Sequence, residues 1–351
     1  MQQIDYNFFI QWHLTERCNL RCRHCYQGLV GAELDHRTIC RTVDSIRDML
    51  DSWEKEYGMV ISPGFHFTGG EPFLRDDLFS ILEYAKNREF SLSLMSNGTL
   101  ITDMLAKQLG EAGITDVQIS LDGLEQTHDS IRGAGNFTRA LNGIEKLLTN
   151  GIETFINLTL SRLNIHELEG MVTLAEEIGI NAVTFSRLVS CGRGEELFDQ
   201  MLTAEELADL YHRLPALNTP NVTVSSLDPL AIVAGMDREI TDTEFPVGGC
   251  SAGIFGLTIT SEGDIMPCRR MDYVIGNVTT DDIRQVWVES PVLIALRNRE
   301  AYHDGCDTCY YWPVCRGCRA IALAVSRNKG GDDFLGQDPQ CSYYKRRLVN
   351  P

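Results

Sequence analysis

The sequence predicts an α/β fold in which six parallel strands alternate with helices, followed by a small cysteine-rich domain. Strand-like and helix-like hydrophobic patterns alternate along residues 8–217, and such alternation is typical of βαβ units in a parallel sheet. After about residue 220 the alternation stops, and residues 246–351 hold seven of the 12 cysteines. A chain of 351 residues is long enough for one large domain and one smaller domain.

The predicted elements follow one another without a long gap up to residue 217. Strands are predicted at 8–15, 65–67, 90–96, 115–121, 153–160 and 181–188, and helices at 38–53, 76–88, 101–112, 138–150, 165–179 and 203–214. The second strand is short because Pro63-Gly64 interrupts the run that begins at Val60. Six strands are two fewer than a closed eight-stranded barrel has, and the pattern alone also allows an open wound sheet. Both folds place functional side chains at the carboxyl ends of the strands.

The rest of the chain predicts a hairpin, one helix and a loop-like tail. The hairpin joins strands at 256–261 and 265–268, and the helix covers 281–297. We therefore expect a barrel-like domain at 1–217, a linker at 218–245 and the cysteine-rich domain at 246–351.

Charge and hydrophobicity exclude several classes of partner. The net charge of −18 opposes binding to nucleic acid through phosphate neutralisation. Residues 1–14 lack the basic region of a signal peptide, and no stretch approaches the ~20 apolar residues of a membrane span. We expect a cytoplasmic protein with no membrane partner. In a reducing cytosol its cysteines are expected to bind metal rather than form disulfides.

A C-x3-C-x2-C motif follows the first predicted strand directly: Cys18, Cys22 and Cys25. Three thiolates can bind three irons of a 4Fe–4S cluster, which leaves the fourth iron open to a small molecule. A zinc site with His13 or His24 as its fourth ligand is the alternative, and the spacing alone does not separate the two.

Polar segments follow the next strands. The second strand leads into Thr68-Gly69-Gly70-Glu71-Pro72, in which the glycines allow close approach of a ligand and Glu71 can accept a hydrogen bond from an ammonium group. Ser96-Asn97-Gly98 ends the third strand and suits ribose hydroxyls. Each segment alone is more typical of an ordinary loop.

The fourth strand ends in Ser120 and Asp122, and Arg132 is placed to pair with a carboxylate. In this order behind the cysteine motif, these segments closely resemble the radical SAM superfamily over residues 8–217. The resemblance implies a partial (β/α)6, TIM-like barrel in which the three cysteines bind a 4Fe–4S cluster and S-adenosylmethionine (SAM) binds its open iron.

The same resemblance implies roles for individual residues. The Gly-Gly-Glu-Pro segment contacts the methionine amino group, the polar strand ends hold the ribose, and His24 and Tyr26 contact the adenine. The reduced cluster cleaves SAM to methionine and a 5′-deoxyadenosyl radical, which removes a hydrogen atom from the substrate.

The C-terminal cysteines form a second group: Cys250, Cys268, Cys306, Cys309, Cys315, Cys318 and Cys341. Paired C-x2-C elements also occur in zinc ribbons. Behind a radical SAM barrel, the pattern resembles the SPASM extension, which binds two auxiliary 4Fe–4S clusters. The resemblance implies that Cys306, Cys309, Cys315 and Cys341 hold one cluster and that Cys250, Cys268 and Cys318 hold the other. The position of an eighth cysteine in other members is Gly256 here, so an open iron or another ligand is expected.

Arg187, near the end of the sixth predicted strand, and Cys191, just after that strand, are further candidates. Cys191 is a candidate catalytic residue, the missing eighth ligand or a plain loop thiol. Arg187 is a candidate for holding an anionic group of the cofactor or substrate.

The SPASM resemblance favours maturation of a ribosomally made peptide by crosslink, thioether, epimerisation or side-chain oxidation. Modification of tetrapyrrole side chains is the alternative, supported by Gly192-Arg193-Gly194, and a multi-cluster electron carrier is a weaker one. The cluster motif begins only 17 residues in, so a peptide substrate is expected to need a separate chaperone or direct barrel contacts. Flavodoxin or ferredoxin is the expected electron donor.

Overall fold

A computed structural model of the chain describes residues 5–27, 31–235, 240 and 243–343. Ten strands within these ranges form one sheet. They are β1 (Asp5–His13), β2 (Val60–Thr68), β3 (Ser91–Ser96), β4 (Asp116–Ser120), β5 (Glu153–Leu160), β6 (Ala182–Arg187), β7 (Thr223–Ser225), β8 (Gly256–Ile259), β9 (Asp264–Met266) and β10 (Gly276–Asn277). Their order across the sheet is β10-β9-β8-β1-β2-β3-β4-β5-β6-β7.

Eleven α-helices lie in the same described ranges. They are α1 (His36–Tyr57), α2 (Leu78–Lys86), α3 (Asp103–Ala112), α4 (Glu125–Arg132), α5 (Asn136–Thr149), α6 (Leu168–Glu177), α7 (Ala204–Arg213), α8 (Pro229–Ala234), α9 (Ile283–Glu289), α10 (Pro291–Arg297) and α11 (Arg319–Asn328). None of these helices combines the length and the apolarity that a bilayer crossing requires.

The alternation of strands and helices predicted from the sequence is confirmed as β1 to β6, and each strand is parallel to its neighbour. The expected interruption at Pro63-Gly64 is wrong, because β2 runs through both residues. β1 pairs with the whole of β2, whereas β3 joins β2 only from Gly64 onward. Pro63 therefore lies where one side of β2 has no ladder to complete, and a proline is tolerated there.

The sheet continues beyond the predicted barrel at both edges. The predicted linker, 218–245, contains β7, which pairs with β6, and helix α8; its residues 236–239 and 241–242 lie outside the described residues. At the other edge β8 lies parallel to β1, and the predicted hairpin is confirmed as β8 and β9. The cysteine-rich segment and the barrel strands thus share one sheet.

The C-terminal segment differs from its prediction in two helices. The expected helix at 281–297 is divided into α9 and α10 at Ser290-Pro291, since a proline favours the first turn of a new helix. The tail predicted as a loop contains α11, which is buried along Ala320–Ala324. Helix α4 was also not predicted, because it is short and mostly polar.

One face of the sheet packs against helices and the other remains accessible. Leu92, Leu94, Val117 and Ile119 are buried among the helices, while the residues between them are half-buried or exposed. On that second face Gln11 Nε2 of β1 lies 3.8 Å from Met95 Sδ of β3. A contact that passes over β2 requires a sheet that curves, so this face is concave.

Gly256 sets the contact between the cysteine-rich segment and the barrel strands. A Cβ atom at this position would lie 1.8 Å from the carbonyl oxygen of Phe9, which is backbone and cannot swing away. Only glycine allows β8 to approach β1 at this distance.

We expect Gly256→Ala to lower the free energy of unfolding by about 1–3 kcal/mol, because the new methyl group overpacks the β1–β8 contact. The matched control is Gly110→Ala in α3, where the nearest atom to the new Cβ is 3.4 Å away. The control should be neutral or more stable by up to about 1 kcal/mol. Urea unfolding followed by circular dichroism measures both, and equal stability of the two variants would contradict the β1–β8 contact.

Candidate active site and cluster-binding regions

The cysteine loop after β1 packs directly on the loop after β2. Gly70 N donates to Thr15 O at 2.7 Å, and Glu71 N donates to Arg17 O at 2.8 Å. A Cβ at Gly69 or Gly70 would come within 2.3 or 2.1 Å of the same carbonyl oxygens. The two glycines are therefore needed for contact between the loops, and not in the first place for approach to a ligand as the sequence suggested.

The carboxylate of Glu71 is fully buried and is used within the protein. It accepts hydrogen bonds from Ser96 Oγ at 2.8 Å and from Asn97 N at 2.9 Å, and burial raises the pKa of Glu71 to about 7. The side chain thus joins the loop after β2 to the end of β3. The carbonyl groups of Gly69 and Gly70 accept no hydrogen bond from the described part of the chain, so they are available to an ammonium group.

The polar ends of β3 and β4 have different surroundings. Asn97 Nδ2 donates to Asn19 Oδ1 at 2.9 Å and lies 4.0 Å from Cys18 Sγ, so this side chain supports the cysteine loop. Ser120 is half-buried on the concave face, and its hydroxyl has no hydrogen-bond partner among the described residues. Ser120 therefore stays available for a ribose. Pro72, in the loop after β2, begins a short 3₁₀ turn.

Asp122, Arg132 and His24 form a buried charged group beside the cluster motif. Asp122 accepts from Thr159 N at 2.7 Å and contacts Arg132 Nε and His24 Nε2. Burial opposes ionisation, but Arg132 and His24 overcome it and lower the pKa of Asp122 to about 2. Arg132 Nη1 also lies 3.8 Å from Cys22 Sγ. The carboxylate partner predicted for Arg132 is thus Asp122 of the chain itself.

Two buried histidines have ring nitrogens without partners in the described part of the chain: His24 Nδ1 and both nitrogens of His13. Burial lowers the pKa of His24 to about 4 and that of His13 to about 3, so both rings are neutral at pH 7. His13 packs edge-to-face on Tyr26 with ring centroids 5.8 Å apart. Buried polar atoms normally have partners, so these nitrogens mark a place that a ligand completes. Sequence reasoning considered His13 only as a zinc ligand, from its position before the cysteine loop.

The three thiols of the first motif lie close enough for their charges to interact. Burial raises the pKa of Cys18 to about 11, and Glu71, Cys22 and Cys25 add to the effect through their charges. No three His, Cys, Asp or Glu side chains in the described ranges converge on a point suitable for one metal ion. A 4Fe–4S cluster takes one thiolate at each iron, so its cysteines surround a larger volume. The three thiols fit such a cluster, and their protons would leave on binding.

The C-terminal cysteines form two groups. A small cavity is lined by all four members of the first group, Cys306, Cys309, Cys315 and Cys341. In the second group, the Arg270 guanidinium interacts with Cys268 and Cys318, and Cys318 in turn interacts with Cys250. These groups match the two ligand sets that the resemblance implies, and the thiols fit iron–sulfur clusters.

Arg187 has a different role from the one predicted. Its guanidinium is 1% exposed and donates to Asp228 at 2.6 Å, to Asp338 at 2.8 Å and to Gln340. Asp338 also accepts from Cys318 N at 2.8 Å. Arg187 therefore does not hold an anion of the cofactor or substrate, because two carboxylates of the chain already neutralise it. It joins the end of β6 to the cysteine-rich segment.

The loop after β6 covers the cysteine loop. Gly192 has φ +57°, and a Cβ there would lie 2.6 Å from Tyr26 O and 2.9 Å from Cys25 O. Arg193 Nε donates to Cys22 O at 3.0 Å. Cys191, half-buried in this loop, therefore lies between the first cysteine motif and the C-terminal cysteines.

Comparisons with known proteins decide the family. The model of the radical SAM superfamily matches residues 12–175, and that of the SPASM iron–sulfur cluster-binding domain matches residues 250–319. An AdoMet-dependent heme synthase of Nitratidesulfovibrio vulgaris is 30% identical over 97% of this chain and 93% of its own length. The chain belongs to the radical SAM superfamily. It is a radical SAM enzyme with a C-terminal SPASM domain, and the electron-carrier alternative is set aside.

Further proteins are similar to this radical SAM enzyme along most of its length. Mycofactocin maturase MftC of Mycolicibacterium smegmatis is 28% identical over 96% of this chain and 83% of its own length. The structure of native anSMEcpe with bound AdoMet superposes with a TM-score of 0.72 at 20% identity, covering 98% of each chain. Streptococcus suis SuiB bound to S-adenosylmethionine gives a TM-score of 0.75 at 16% identity, covering 96% of this chain and 77% of SuiB. These structures share the partial-barrel fold, and SAM and iron–sulfur clusters are the cofactors of the enzyme.

We expect Ser96→Ala to weaken SAM binding about tenfold, because Glu71 loses one of its buried donors and the loop after β2 loses its support from β3. The matched control is Ser45→Ala, whose hydroxyl donates to Arg41 O on the exposed side of α1. Equilibrium binding of SAM to cluster-loaded protein measures the effect. Equal affinity in both variants would show that Glu71 does not order the SAM site.

Proposed function

We propose that this enzyme modifies a ribosomally made peptide that binds along the concave face of the sheet. The modification is a crosslink, a thioether, an epimerisation or a side-chain oxidation. The observation that carries the proposal is the polarity of that face. Strand register pairs Gln11 with His66, His66 with Ser93, and Asn157 with Thr184 on this face, and Gln118 lies on it between Met95 and Phe155. These polar side chains are all half-buried.

Amide and hydroxyl groups on this face suit the N–H and C=O groups of a peptide backbone. Thr184 Oγ1 donates to Asn157 Oδ1 at 3.0 Å, which leaves the amide nitrogen of Asn157 free to donate to a ligand. His66 stacks on Phe9, and burial lowers the pKa of His66, so its ring is neutral at pH 7. Asp116, at the start of β4, accepts a hydrogen bond from Ser93 Oγ.

A polycarboxylate tetrapyrrole requires cations at the same place, since buried carboxylates need charged partners. Two arginines beside the barrel mouth are already paired with carboxylates of the chain. Arg132 pairs with Asp122, and Arg269 lies 3.6 Å from Glu16. The concave face, with its uncharged polar side chains and the carboxylate of Asp116, therefore favours a peptide.

Tetrapyrrole modification is the second candidate, and two observations favour it. Arg193 has no carboxylate partner among the described residues and lies at the barrel mouth. The heme synthase relative is also slightly more similar to this chain than the mycofactocin maturase is.

We also infer that the SPASM domain holds two auxiliary 4Fe–4S clusters. One fits the cavity lined by Cys306, Cys309, Cys315 and Cys341, and the other fits Cys250, Cys268 and Cys318. When bound, SAM and its cluster supply one-electron hydrogen abstraction, and auxiliary clusters suit oxidative outcomes. The cytoplasmic location, the flavodoxin or ferredoxin donor and the peptide chaperone remain predictions.

The substrate class is tested with deuterium. Reduced, cluster-loaded enzyme and SAM are incubated with a perdeuterated short peptide encoded beside the gene, or with a deuterated iron tetrapyrrole that carries acetate and propionate groups. We expect deuterium in 5′-deoxyadenosine with the peptide only. Transfer from the tetrapyrrole alone would overturn the peptide proposal.

Two variants separate the candidates by binding. We expect Asn157→Leu to weaken peptide binding about tenfold through the loss of a hydrogen bond at the concave face, and Arg193→Gln to change it less. A tetrapyrrole substrate reverses this order, because loss of a charged partner costs more than loss of an amide. Isothermal titration in the absence of reductant gives both affinities, and uncoupled SAM cleavage checks that each variant retains its first cluster.

A further inference from the structure

We propose that Cys191, in the loop after β6, is the fourth protein ligand of the auxiliary cluster held by Cys250, Cys268 and Cys318. The barrel, and not the SPASM domain, then completes this cluster. The inference rests on the proposed pair of auxiliary clusters and is independent of the substrate class.

The structure excludes a cysteine side chain at the position where other members carry their eighth cysteine. That position is Gly256, whose Cβ would lie 1.8 Å from Phe9 O. A cysteine there requires β8 to leave β1, with which it pairs from Gly256 to Ile259. The second cysteine group therefore needs a ligand from elsewhere in the chain.

Cys191 is placed to supply it. The segment that carries Cys268 turns back on the end of β6, where Arg270 Nη1 donates to Arg187 O at 3.3 Å. Cys191 lies four residues after Arg187 in the chain. Its thiol interacts electrostatically with Arg270 and with Cys268. The guanidinium of Arg270 thus has three thiols around it, those of Cys191, Cys268 and Cys318.

Arg187 also positions Cys318, another member of this cysteine group, near the end of β6. It pairs with Asp338, which accepts from Cys318 N, so the backbone of Cys318 is attached to the end of β6. Cys250 N donates to Cys315 O at 3.1 Å, which fixes Cys250 between the two cysteine groups. Four thiols from four parts of the chain therefore lie around Arg270 and Cys318, where one cluster can bind.

The charges around this volume suit an anionic cluster. A cluster with four thiolates is negative, and the charges that act on the Arg270 cation are those of three thiols, with no carboxylate among the ion pairs of the described residues. As a ligand of this cluster, Cys191 would lose its proton to the metal and would not serve as the catalytic residue first considered.

The test removes the first cluster to isolate the auxiliary ones. Full-length protein with Cys18, Cys22 and Cys25 all replaced by alanine is reconstituted anaerobically with iron and sulfide, with and without Cys191→Ala. After reduction, ¹³C-cyanide is added as a probe for an open iron and ¹³C coupling is measured by pulsed EPR. We expect no coupling in the parent, and either a coupled cluster or loss of roughly four of eight irons when Cys191 is replaced.

Two controls make the outcome specific. Cys40→Ala, a half-buried thiol beside His36 on α1, should behave as the parent, and Cys309→Ala should affect only the cluster in the cavity. Far-UV circular dichroism confirms that each variant is folded. Coupling already present in the parent, or a Cys191→Ala spectrum and iron content equal to the parent, would overturn the assignment. A parent with roughly four irons would instead overturn the proposed pair of clusters.

Discussion

The buried ion pair between Arg187 and Asp338 is the interaction on which the two halves of the enzyme depend. Arg187 ends a strand of the barrel, and Asp338 lies 151 residues later, where it also fixes the backbone of Cys318. Both side chains are about 1% exposed. Removal of one partner from such a pair leaves a buried charge and costs about 3–5 kcal/mol. The pair therefore favours one fixed position of the second cysteine group at the barrel mouth.

The first cysteine motif depends on a similar constraint, made by backbone rather than charge. Gly69 and Gly70 allow the loop after β2 to lie against Thr15 and Arg17, and Glu71 extends this contact to the end of β3. The cysteine loop is therefore supported by the ends of β2 and β3. The loop after β6 also contacts it, through the hydrogen bond of Arg193. Because Cys191 belongs to that same loop, the barrel mouth contacts the first cysteine motif and the second cysteine group together.

Much of the barrel could be predicted from the sequence, because alternating hydrophobic patterns are local. β1 to β6 follow this pattern. The cysteine spacings that indicated the family are also local features of the sequence. The joining of β8 to β1 could not be predicted, since it pairs Gly256 with Phe9 across most of the chain. The continuity of β2 through Pro63 depends on where β3 begins, which is also a property of the assembled sheet.

The candidate site shows the same limit for charged residues. Arg132 and Arg187 were both expected to bind an anionic group, and a sequence does not reveal that Asp122 and Asp338 already neutralise them. His13 was overlooked as a ligand-facing residue, because its unpartnered nitrogens are visible only once the ring is seen to be buried. The residue types in the sequence predicted the chemistry of the site. The hydrogen-bond and ion-pair partners of each residue could be identified only in the folded structure.

X-ray diffraction of cluster-loaded enzyme at the iron absorption edge locates every cluster. We expect three separate iron sites, one at Cys18, Cys22 and Cys25, one in the cavity of Cys306, and one bonded to the sulfur of Cys191 at the barrel mouth. Iron near Cys268 and Cys318 with Cys191 turned away from it, or no iron there at all, would show that the barrel does not complete the second auxiliary cluster.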